Sequence, residues 1–230
     1  MHSKNDARQA FTLGTTPNEL AQRSLDLSDQ FQSEDAAANS EFDSALDLVF
    51  EHGLQMSYRW KIFCQLFDSG PENISALNER GGNVFELLQR LILDDLMLSL
   101  SRLTDPAVSG KNKNASLRNF LEKAKPRLSG AVIAEVESLQ SKLDGLVRNV
   151  RVHRDKSLAH SDLNHASKVS ALPIVTYDEL ELAMKYVKEI IIKVAWEAGR
   201  SRLRFDIIIP FGCDGYSLIK VLKLGHAANR

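Results

Sequence analysis

An apolar helical stripe in the middle of the chain ends in polar, titratable side chains. Residues at spacings of three and four form one face of a helix, and here they are Leu139, Leu143, Leu146 and Val150. Continued at that spacing, the stripe reaches His153, Ser157 and His160. Burying such groups without partners is costly, so a stripe that served only packing would rarely contain them. The pattern predicts that these side chains line a cleft or a subunit interface.

Positive charge is concentrated around the same helix end. Residues 148–156 hold one acid, Asp155, and an excess of three positive charges from Arg148, Arg151, Arg154 and Lys156. That excess is enough for a local phosphate-binding patch. The alternative is a solvated helix face with an ion pair between Arg151 and Asp155, one turn apart, which is worth only about 0.3–0.5 kcal/mol.

The spacing of Arg154 and His160 restricts how they can act together. In a straight helix they lie about 120° apart around the axis and about 9 Å apart along it. One uninterrupted helix therefore cannot easily bring both to one phosphate. Either the helix distorts near residues 157–159, or a second copy of the segment faces the first.

A metal site is the competing interpretation of the same region. Its candidate ligands are His153, His160, Asp162 and His165, but their spacing is poor for one helix face. The chain has no HExxH motif, no Gly-rich phosphate loop and no G-x-S-x-G sequence. We therefore expect no metal or other cofactor.

The remaining elements read as helices. Apolar periodicity predicts helices at about residues 41–67, 72–80, 83–103, 115–125, 129–162, 176–200 and 215–222. Local signals support several of these limits: Asp105-Pro106 stops the helix 83–103 before a loop at residues 108–114, Thr176 and Glu179 form a capping-box pattern, and Asp214 caps the last helix. The aromatic side chains of the helix 41–67 recur at helical spacing, which predicts that they pack in the core. The helix 83–103 is apolar on nearly every side, which predicts the central helix of a bundle. Its acids Asp94 and Asp95 should either pair with a basic neighbouring helix or orient Arg154 or His160. Residues 205–210 are rich in isoleucine, and we expect an extended segment that lies on the bundle.

Composition describes an ordinary soluble protein. Of the 230 residues, 43% are hydrophobic and 26% charged, and the net charge is −1, so any polyanion site must be local. Two distant cysteines, Cys64 and Cys213, favour a reducing compartment over a disulfide framework. The sequence shows no signal peptide and no membrane span, which predicts a cytoplasmic protein.

The string RDKSLAHSD at residues 154–162 carries a family resemblance. Arg154 and His160 match the R-x(4–6)-H signature of the HEPN superfamily, and the longer string resembles its AbiU-type abortive-infection branch. The segments LSRLTDP (100–106) and GCDGYSLIKVLK (212–223) also resemble that branch, over about residues 40–225. The resemblance implies an all-α, HEPN-like helical bundle in which two copies pair so that their motifs share one cleft.

The chemistry that the resemblance implies is metal-independent RNA cleavage. The RNA's own 2′-OH would attack the phosphate, His160 would transfer protons, and Arg154 would stabilise the charged phosphorane. Asp155 would orient Arg154 or bridge to the facing subunit. The side chains expected to hold RNA phosphates are Arg148, Asn149, Arg151, His153, Lys156 and Ser157.

Two departures from the family pattern leave alternatives open. Arg148 and His153 also fit the signature, so His153 could be the base or its partner. Some HEPN toxins carry a tyrosine two residues after the histidine, which a partner enzyme modifies, but this chain has Asp162 there. A second functional reading is a catalytically silent HEPN module that binds a nucleotide or stabilises a dimer.

The sequence predicts three regions. A polar, acidic arm occupies residues 1–38, a HEPN-like helical bundle residues 39–204, and a C-terminal extended segment with a short helix residues 205–230. The arm could cover the basic patch near Arg154 and compete with RNA. The expected partners are a second copy of the chain, RNA and, for a toxin-like role, an antitoxin protein that the sequence does not identify.

Overall fold

The structure is a computed structural model that describes residues 40–158, 171–200 and 203–227. The predicted arm at residues 1–38 lies outside this part of the chain. The elements in chain order are α1 (Ser40–Phe67), α2 (Pro71–Leu103), β1 (Val108–Ser109), β2 (Asn112–Lys113), α3 (Leu117–Ala124), α4 (Gly130–His153), α5 (Tyr177–Glu197) and α6 (Gly215–Ala227). The all-α prediction is confirmed, because the described elements are helices apart from β1 and β2. These two strands have two residues each and form a short antiparallel hairpin where the sequence predicted a loop. No helix in the described ranges is long and apolar enough to cross a membrane.

Helix α5 lies at the centre of the core. Its N-terminus carries the predicted capping box, in which the Thr176 hydroxyl accepts from the Glu179 amide at 3.2 Å and the Glu179 carboxylate accepts from the Thr176 amide at 2.9 Å. One face is fully buried through Leu180, Ala183, Met184, Val187, Ile190, Ile191, Val194 and Ala195. Because α4 packs along α5, this buried face sets the position of the helix that carries the predicted site.

The aromatic side chains of α1 form the rest of the core, as their spacing predicted. Phe42, Phe50 and Phe63 are at most 3% exposed. Phe42 stacks on Phe120 of α3, and Phe50 makes an edge contact with Phe205 of the C-terminal segment. These contacts join α1, α3 and the C-terminal segment around one hydrophobic core.

Helix α2 differs from its prediction in two ways. The expected break at residues 81–82 is a kink, with non-helical backbone angles at Gly81 inside one element, Pro71–Leu103. The expectation that residues 83–103 are surrounded on nearly every side is wrong for the first half of that range. Leu96, Leu100 and Leu103 are buried, whereas the more N-terminal aliphatic side chains Val84, Leu87, Leu88 and Leu91 are exposed. The apolar pattern therefore covers two different surfaces, a core face and a solvent-facing one.

The C-terminal segment lies on α1 as an extended chain without a strand partner in the described residues. Lys61 donates to the Ile207 carbonyl at 2.6 Å, and the Phe205 ring approaches Gly53 so closely that a Cβ there would lie 2.7 Å from it. Asp214 then caps α6 by accepting from the Ser217 amide at 2.8 Å, as predicted. Helix α6 packs on α1 and α2 through a second small core of Leu66, Leu77 and Ile219.

The two cysteines differ in environment, and this gives a first testable difference. Burial raises the pKa of the Cys64 thiol to about 11, with nearby Asp68 and Glu181 adding to the effect, whereas Cys213 is exposed. Thiolate is the nucleophile in alkylation, so at pH 8 iodoacetamide should modify Cys213 more than about tenfold faster than Cys64. Peptide mapping of the native protein measures both rates, with Cys213→Ser as the control. Equal rates would contradict this assignment.

Candidate functional site

The predicted site begins where α4 ends. Regular α-helix stops at His153, and residues Arg154–Leu158 continue as a π-helical turn. Such turns change the direction of successive side chains and are frequent at functional sites. A helix distortion was one of the two alternatives that the spacing of Arg154 and His160 left open, and the described turn begins at Arg154, before the expected residues 157–159. His160, Asp162, His165 and the side chain of Ser157 lie outside the described residues.

Two carboxylates hold the guanidinium of Arg154. Its Nε donates to Asp155 Oδ1 at 2.7 Å and its Nη1 donates to Asp105 Oδ1 at 2.6 Å. The hydrogen bond to Asp155, followed by that to Asp105, raises the pKa of Arg154 further above its ordinary value, so its charge is permanent. A guanidinium has five N–H donors. These two bonds use one on Nε and one on Nη1, and the second Nη1 hydrogen and both Nη2 hydrogens have no partner among residues 40–158, 171–200 and 203–227.

Asp105 is a site residue that the sequence reasoning missed. The sequence indicates only that Asp105-Pro106 ends the helix before it, although residues 100–106 carry part of the family resemblance. Thr104 continues the contact, since its carbonyl accepts from Arg151 Nη2 at 2.6 Å while its hydroxyl donates to the Leu100 carbonyl at 2.9 Å. Two arginines, Arg151 and Arg154, therefore hydrogen-bond the C-terminal end of α2 to the motif helix. The only sequence signal was an acid near a motif-like segment.

Arg151 takes part in a charge network with Asp144 and Arg118. Its Nη2 lies 3.4 Å from Asp144 Oδ1, and Asp144 Oδ2 lies 2.5 Å from Arg118 Nη2 on α3. The predicted Arg151–Asp155 pair is not formed, because Asp155 pairs with Arg154 instead. Arg151 was also expected to bind phosphate, but its described contacts are with Asp144 and Thr104. It connects α4 to α2 and α3 and so holds the motif helix in place.

His153 and Asn149 lie on a different face of α4 from these arginines. His153 Nε2 lies 2.6 Å from the Pro173 carbonyl. Because a carbonyl only accepts, Nε2 must carry the proton, and Nδ1 has no hydrogen-bond partner among the described residues. Asn149 donates to the Ile174 carbonyl at 3.2 Å. Both side chains therefore fix the segment that leads into α5.

A groove of about 570 Å³ opens beside His153 between α2 and the start of α5. Its polar lining includes Arg90, Asp94 and Tyr177, whose hydroxyl accepts from Gln89 at 3.3 Å. Burial raises the pKa of Asp94, while the charges of Arg90 and His153 act in the opposite direction. Asp94 is therefore placed to interact with His153 rather than with Arg154.

Asp95, the acid that follows Asp94 in α2, forms an ion pair with another helix. It lies 2.9 Å from Arg59 Nε of α1. An ion pair with a neighbouring helix was one of the two roles that the sequence left open, although α1 is not a basic helix overall. The role in orienting Arg154 falls to Asp105 and Asp155, and a contact of Asp94 or Asp95 with His160 lies outside the described residues.

The local charge around the motif remains positive after these pairs are included. Arg148 is exposed and Lys156 is half-buried. In the structure, one further cation, Arg118, and two further carboxylates, Asp105 and Asp144, lie next to the charged residues of 148–156. The excess of positive charge therefore falls from three to two. This excess still favours an anionic ligand.

The structure thus separates the predicted site residues into two sets. One contains Arg154, Asp155 and Arg151 at the end of α2. The other contains His153 and Asp94, which line the groove, and Asn149, which bonds the segment that leads into α5. Both pairs that fit the signature, Arg148 with His153 and Arg154 with His160, stay predictions. Within the described ranges no group of three or more His, Cys, Asp or Glu side chains could hold a metal ion.

The comparisons with known proteins agree with the helical architecture. The family model described as AbiU2 (HEPN_AbiU2) matches residues 39–213, which is more than half of the chain. No curated protein and no solved structure gave a significant match. The match includes α1 to α5, the π-helical turn and the string RDKSLAHSD on which the resemblance rested. The chain therefore belongs to the AbiU2 family, an abortive-infection branch of the HEPN-domain proteins.

Proposed function

We propose that this protein is a metal-independent endoribonuclease of a phage-defence or toxin-like system, with a composite site between two copies of the chain. The observation that supports this most directly is the state of Arg154. Two carboxylates fix its guanidinium, and three of its N–H groups, which have no partner in the described part of the chain, would bind the oxygens of a phosphate. A guanidinium oriented in advance stabilises charge that develops on a phosphorane without having to rearrange.

The reaction needs a proton-transfer group in addition to Arg154. In the proposed mechanism the 2′-OH of RNA attacks the adjacent phosphorus, the bond to the 5′-oxygen breaks, and a cyclic phosphate is left. His160 takes the proton from the 2′-OH, and a second imidazole, from the facing copy or from His153, gives one to the leaving oxygen. The positive charge around α4 and the π-helical turn attracts the RNA strand.

The test is cleavage of total RNA by purified protein with EDTA present, comparing wild type with His160→Ala. Cleavage by wild type alone supports the proposal and assigns His160 to the site. Cleavage that disappears with EDTA would contradict the metal-independent chemistry. Cleavage by both proteins at the same rate would rule out His160 as the proton-transfer group.

The second candidate is a catalytically silent module that binds a nucleotide or stabilises a dimer. It is favoured by the ion pairs of Arg151 and Arg154, because carboxylate partners are also what a structural role would require. The same assay separates the two. An intact dimer that cleaves no RNA in wild-type form supports the silent module, and so does loss of the dimer in His160→Ala.

A further inference from the structure

The groove between α2 and the start of α5 contains an acid that is unpaired in the described part of the chain. Asp94 is half-buried there and forms no hydrogen bond or ion pair with any residue in the ranges 40–158, 171–200 and 203–227. Arg90 lies one turn earlier on α2 and lines the same groove, yet no ion pair joins these two described side chains. Partial removal of a carboxylate from water costs free energy, which donors on a ligand would offset.

The charges of the groove favour a neutral ligand over a phosphate. Its described lining contains two acids, Glu86 and Asp94, and two groups that can be cationic, Arg90 and His153. Burial raises the pKa of Asp94, but the charges of Arg90 and His153 favour its ionised form, and an ionised carboxylate only accepts hydrogen bonds. A phosphate would face like charge at both acids. A neutral ring with donors on one edge and acceptors on the next would meet no such repulsion.

Tyr177 provides a flat surface for such a ring. Its side chain is 42% exposed and lines the groove, while its ring makes edge contacts with Phe63 and Trp60 at centroid distances of 5.2 and 6.4 Å. Its hydroxyl accepts from Gln89, so contacts with both α1 and α2 fix the ring. Single-stranded RNA is recognised by bases that stack on aromatic rings and hydrogen-bond through their edges. The groove volume of about 570 Å³ is ample for one base.

We propose that this groove binds a guanine base of the RNA strand, with Asp94 and Arg90 bonding its two polar edges. Guanine carries two donors side by side, N1–H and the N2 amino group, which match the two oxygens of the Asp94 carboxylate. Its acceptors O6 and N7 match the parallel N–H groups of Arg90, as in the commonest specific contact of arginine with a base. Adenine, cytosine and uracil do not combine two adjacent donors with two adjacent acceptors. Arg90 and Asp94 are about 6 Å apart along α2, so one ring that lies along the helix reaches both.

The groove adjoins the proposed cleavage site along α4. His153 lines the groove and Arg154 is the next residue, and consecutive Cα atoms are about 3.8 Å apart. Asp94 itself lies 11 residues before Asp105, which is about 16 Å along a helix. The base in the groove therefore belongs to a nucleotide near the scissile phosphate, and that phosphate stays at Arg154. The proposal rests on the proposed function, because it assigns a base preference to the same RNA site.

The test is binding of RNA oligonucleotides that contain one guanine, adenine or cytosine in a run of uridines. 2′-O-methyl sugars remove the attacking hydroxyl, so fluorescence polarisation measures affinity without cleavage. Wild type should bind the guanine oligonucleotide about tenfold or more tightly than the other two, since a bidentate contact to a base discriminates by at least roughly this factor. Asp94→Asn should lose most of this preference, because the amide replaces one acceptor by a donor.

Two further variants separate base recognition from general effects. Glu122→Gln is the matched control, since it makes the same carboxylate-to-amide change at an exposed position of α3 and should keep the guanine preference. Tyr177→Ala removes the stacking surface and should weaken all three oligonucleotides by about tenfold while guanine remains preferred, because stacking tolerates every base. Circular dichroism and thermal melting of each variant verify the fold.

Single-group changes in the base test each contact separately. Inosine lacks the amino group at N2 and 7-deazaguanine lacks N7, and each should weaken binding to wild type by about tenfold. Inosine should have much less effect on Asp94→Asn, and 7-deazaguanine much less on Arg90→Ala. A misfolded variant would not give this result, because each variant should stay sensitive to the base change at the other contact. Equal sensitivity of both variants to both base changes would overturn the assigned pairing.

The remaining outcomes separate this proposal from the nuclease. No measurable or equal affinity of wild type for the oligonucleotides, or a guanine preference that Asp94→Asn retains, overturns the groove as a guanine site. Cleavage of total RNA by the same wild-type protein would then leave the nuclease proposal intact. A guanine preference that depends on Asp94, without RNA cleavage, supports the groove and contradicts the nuclease. Where RNA is cleaved, guanine should be enriched at one fixed position beside the cuts of wild type but not of Asp94→Asn, and wild-type cuts without that enrichment overturn the proposal.

Discussion

Arg154→Ala should reduce the rate of RNA cleavage by about 10²–10³-fold, which is the usual effect of removing one preorganised donor to a developing oxyanion. The loss should appear mainly in kcat, because Arg154 contributes most to the charged transition state, while the other cations near the motif continue to attract RNA. Single-turnover cleavage of a defined RNA oligonucleotide measures the rate directly. The prediction rests on the proposed nuclease activity.

The substitution Arg154→Lys separates the effect of charge from that of geometry. Lysine retains the positive charge but lacks the planar fork that bonds Asp105 and Asp155 while presenting further N–H groups. RNA affinity and its salt dependence should therefore stay close to those of wild type, whereas cleavage should still fall by about tenfold or more. Equal cleavage by the lysine variant and wild type would mean that Arg154 acts only as a point charge.

Arg204→Ala controls for the loss of any exposed arginine, because Arg204 lies on the C-terminal segment. It should cleave RNA at the wild-type rate. Removing Arg154 also leaves Asp105 without its partner, at a cost of about 1–3 kcal/mol in the free energy of unfolding. Assays must therefore be run well below the melting temperature of the variant. An unchanged rate for folded Arg154→Ala would eliminate this residue from the reaction.

Local sequence signals predicted the elements that depend on local contacts. The capping box at Thr176 and Glu179 joins residues three apart, and the Asp214 cap likewise bonds Ser217, so both can be identified without knowing the fold. The aromatic spacing of α1 was equally informative, because a helix face that repeats every three or four residues must be buried as a unit. These features gave the fold class and most helix limits.

The partner of Arg154 could not be found in this way. Asp105 lies 49 residues earlier in the chain, and three nearby acids, Asp94, Asp95 and Asp105, are chemically equivalent in the sequence. Tertiary packing alone decides that Asp95 pairs with Arg59 of α1 and that Asp105 reaches the motif. The π-helical turn at residues 154–158 has no local signature either, and the spacing of Arg154 and His160 indicated a distortion only as one of two alternatives.

The first half of α2 shows why an apolar pattern does not distinguish a buried helix face from an exposed one. Leu91 and Leu96 have the same chemistry, yet Leu91 is 52% exposed and Leu96 is 1% exposed. The hydrophobic pattern of the sequence records only the chemistry of the side chains, and that chemistry is the same on both halves of α2. Only the positions of the other helices determine which half of α2 is buried.

Phe120→Ala should lower the free energy of unfolding by about 3–5 kcal/mol, the usual cost of truncating a fully buried phenylalanine. Phe120 is 0% exposed, and its ring stacks on Phe42 with centroids 5.7 Å apart. The change removes the transfer free energy of the ring, the stacking contact, and the packing of α3 against α1 around the cavity that remains. The melting temperature of a domain of this size should fall by about 10 °C or more.

The chain supplies a matched control for that substitution. Phe211 is 99% exposed, so Phe211→Ala removes the same atoms from water rather than from the core, and its effect should stay within about 0.5 kcal/mol. Urea unfolding followed by tryptophan fluorescence gives both values with one observable. Comparable losses for the two variants would mean that α3 does not pack as described. A selective loss at Phe120 attributes the stability to the core that packs α3 on α1 and α5. That core also positions Arg118, which pairs with Asp144 in the Arg151 network.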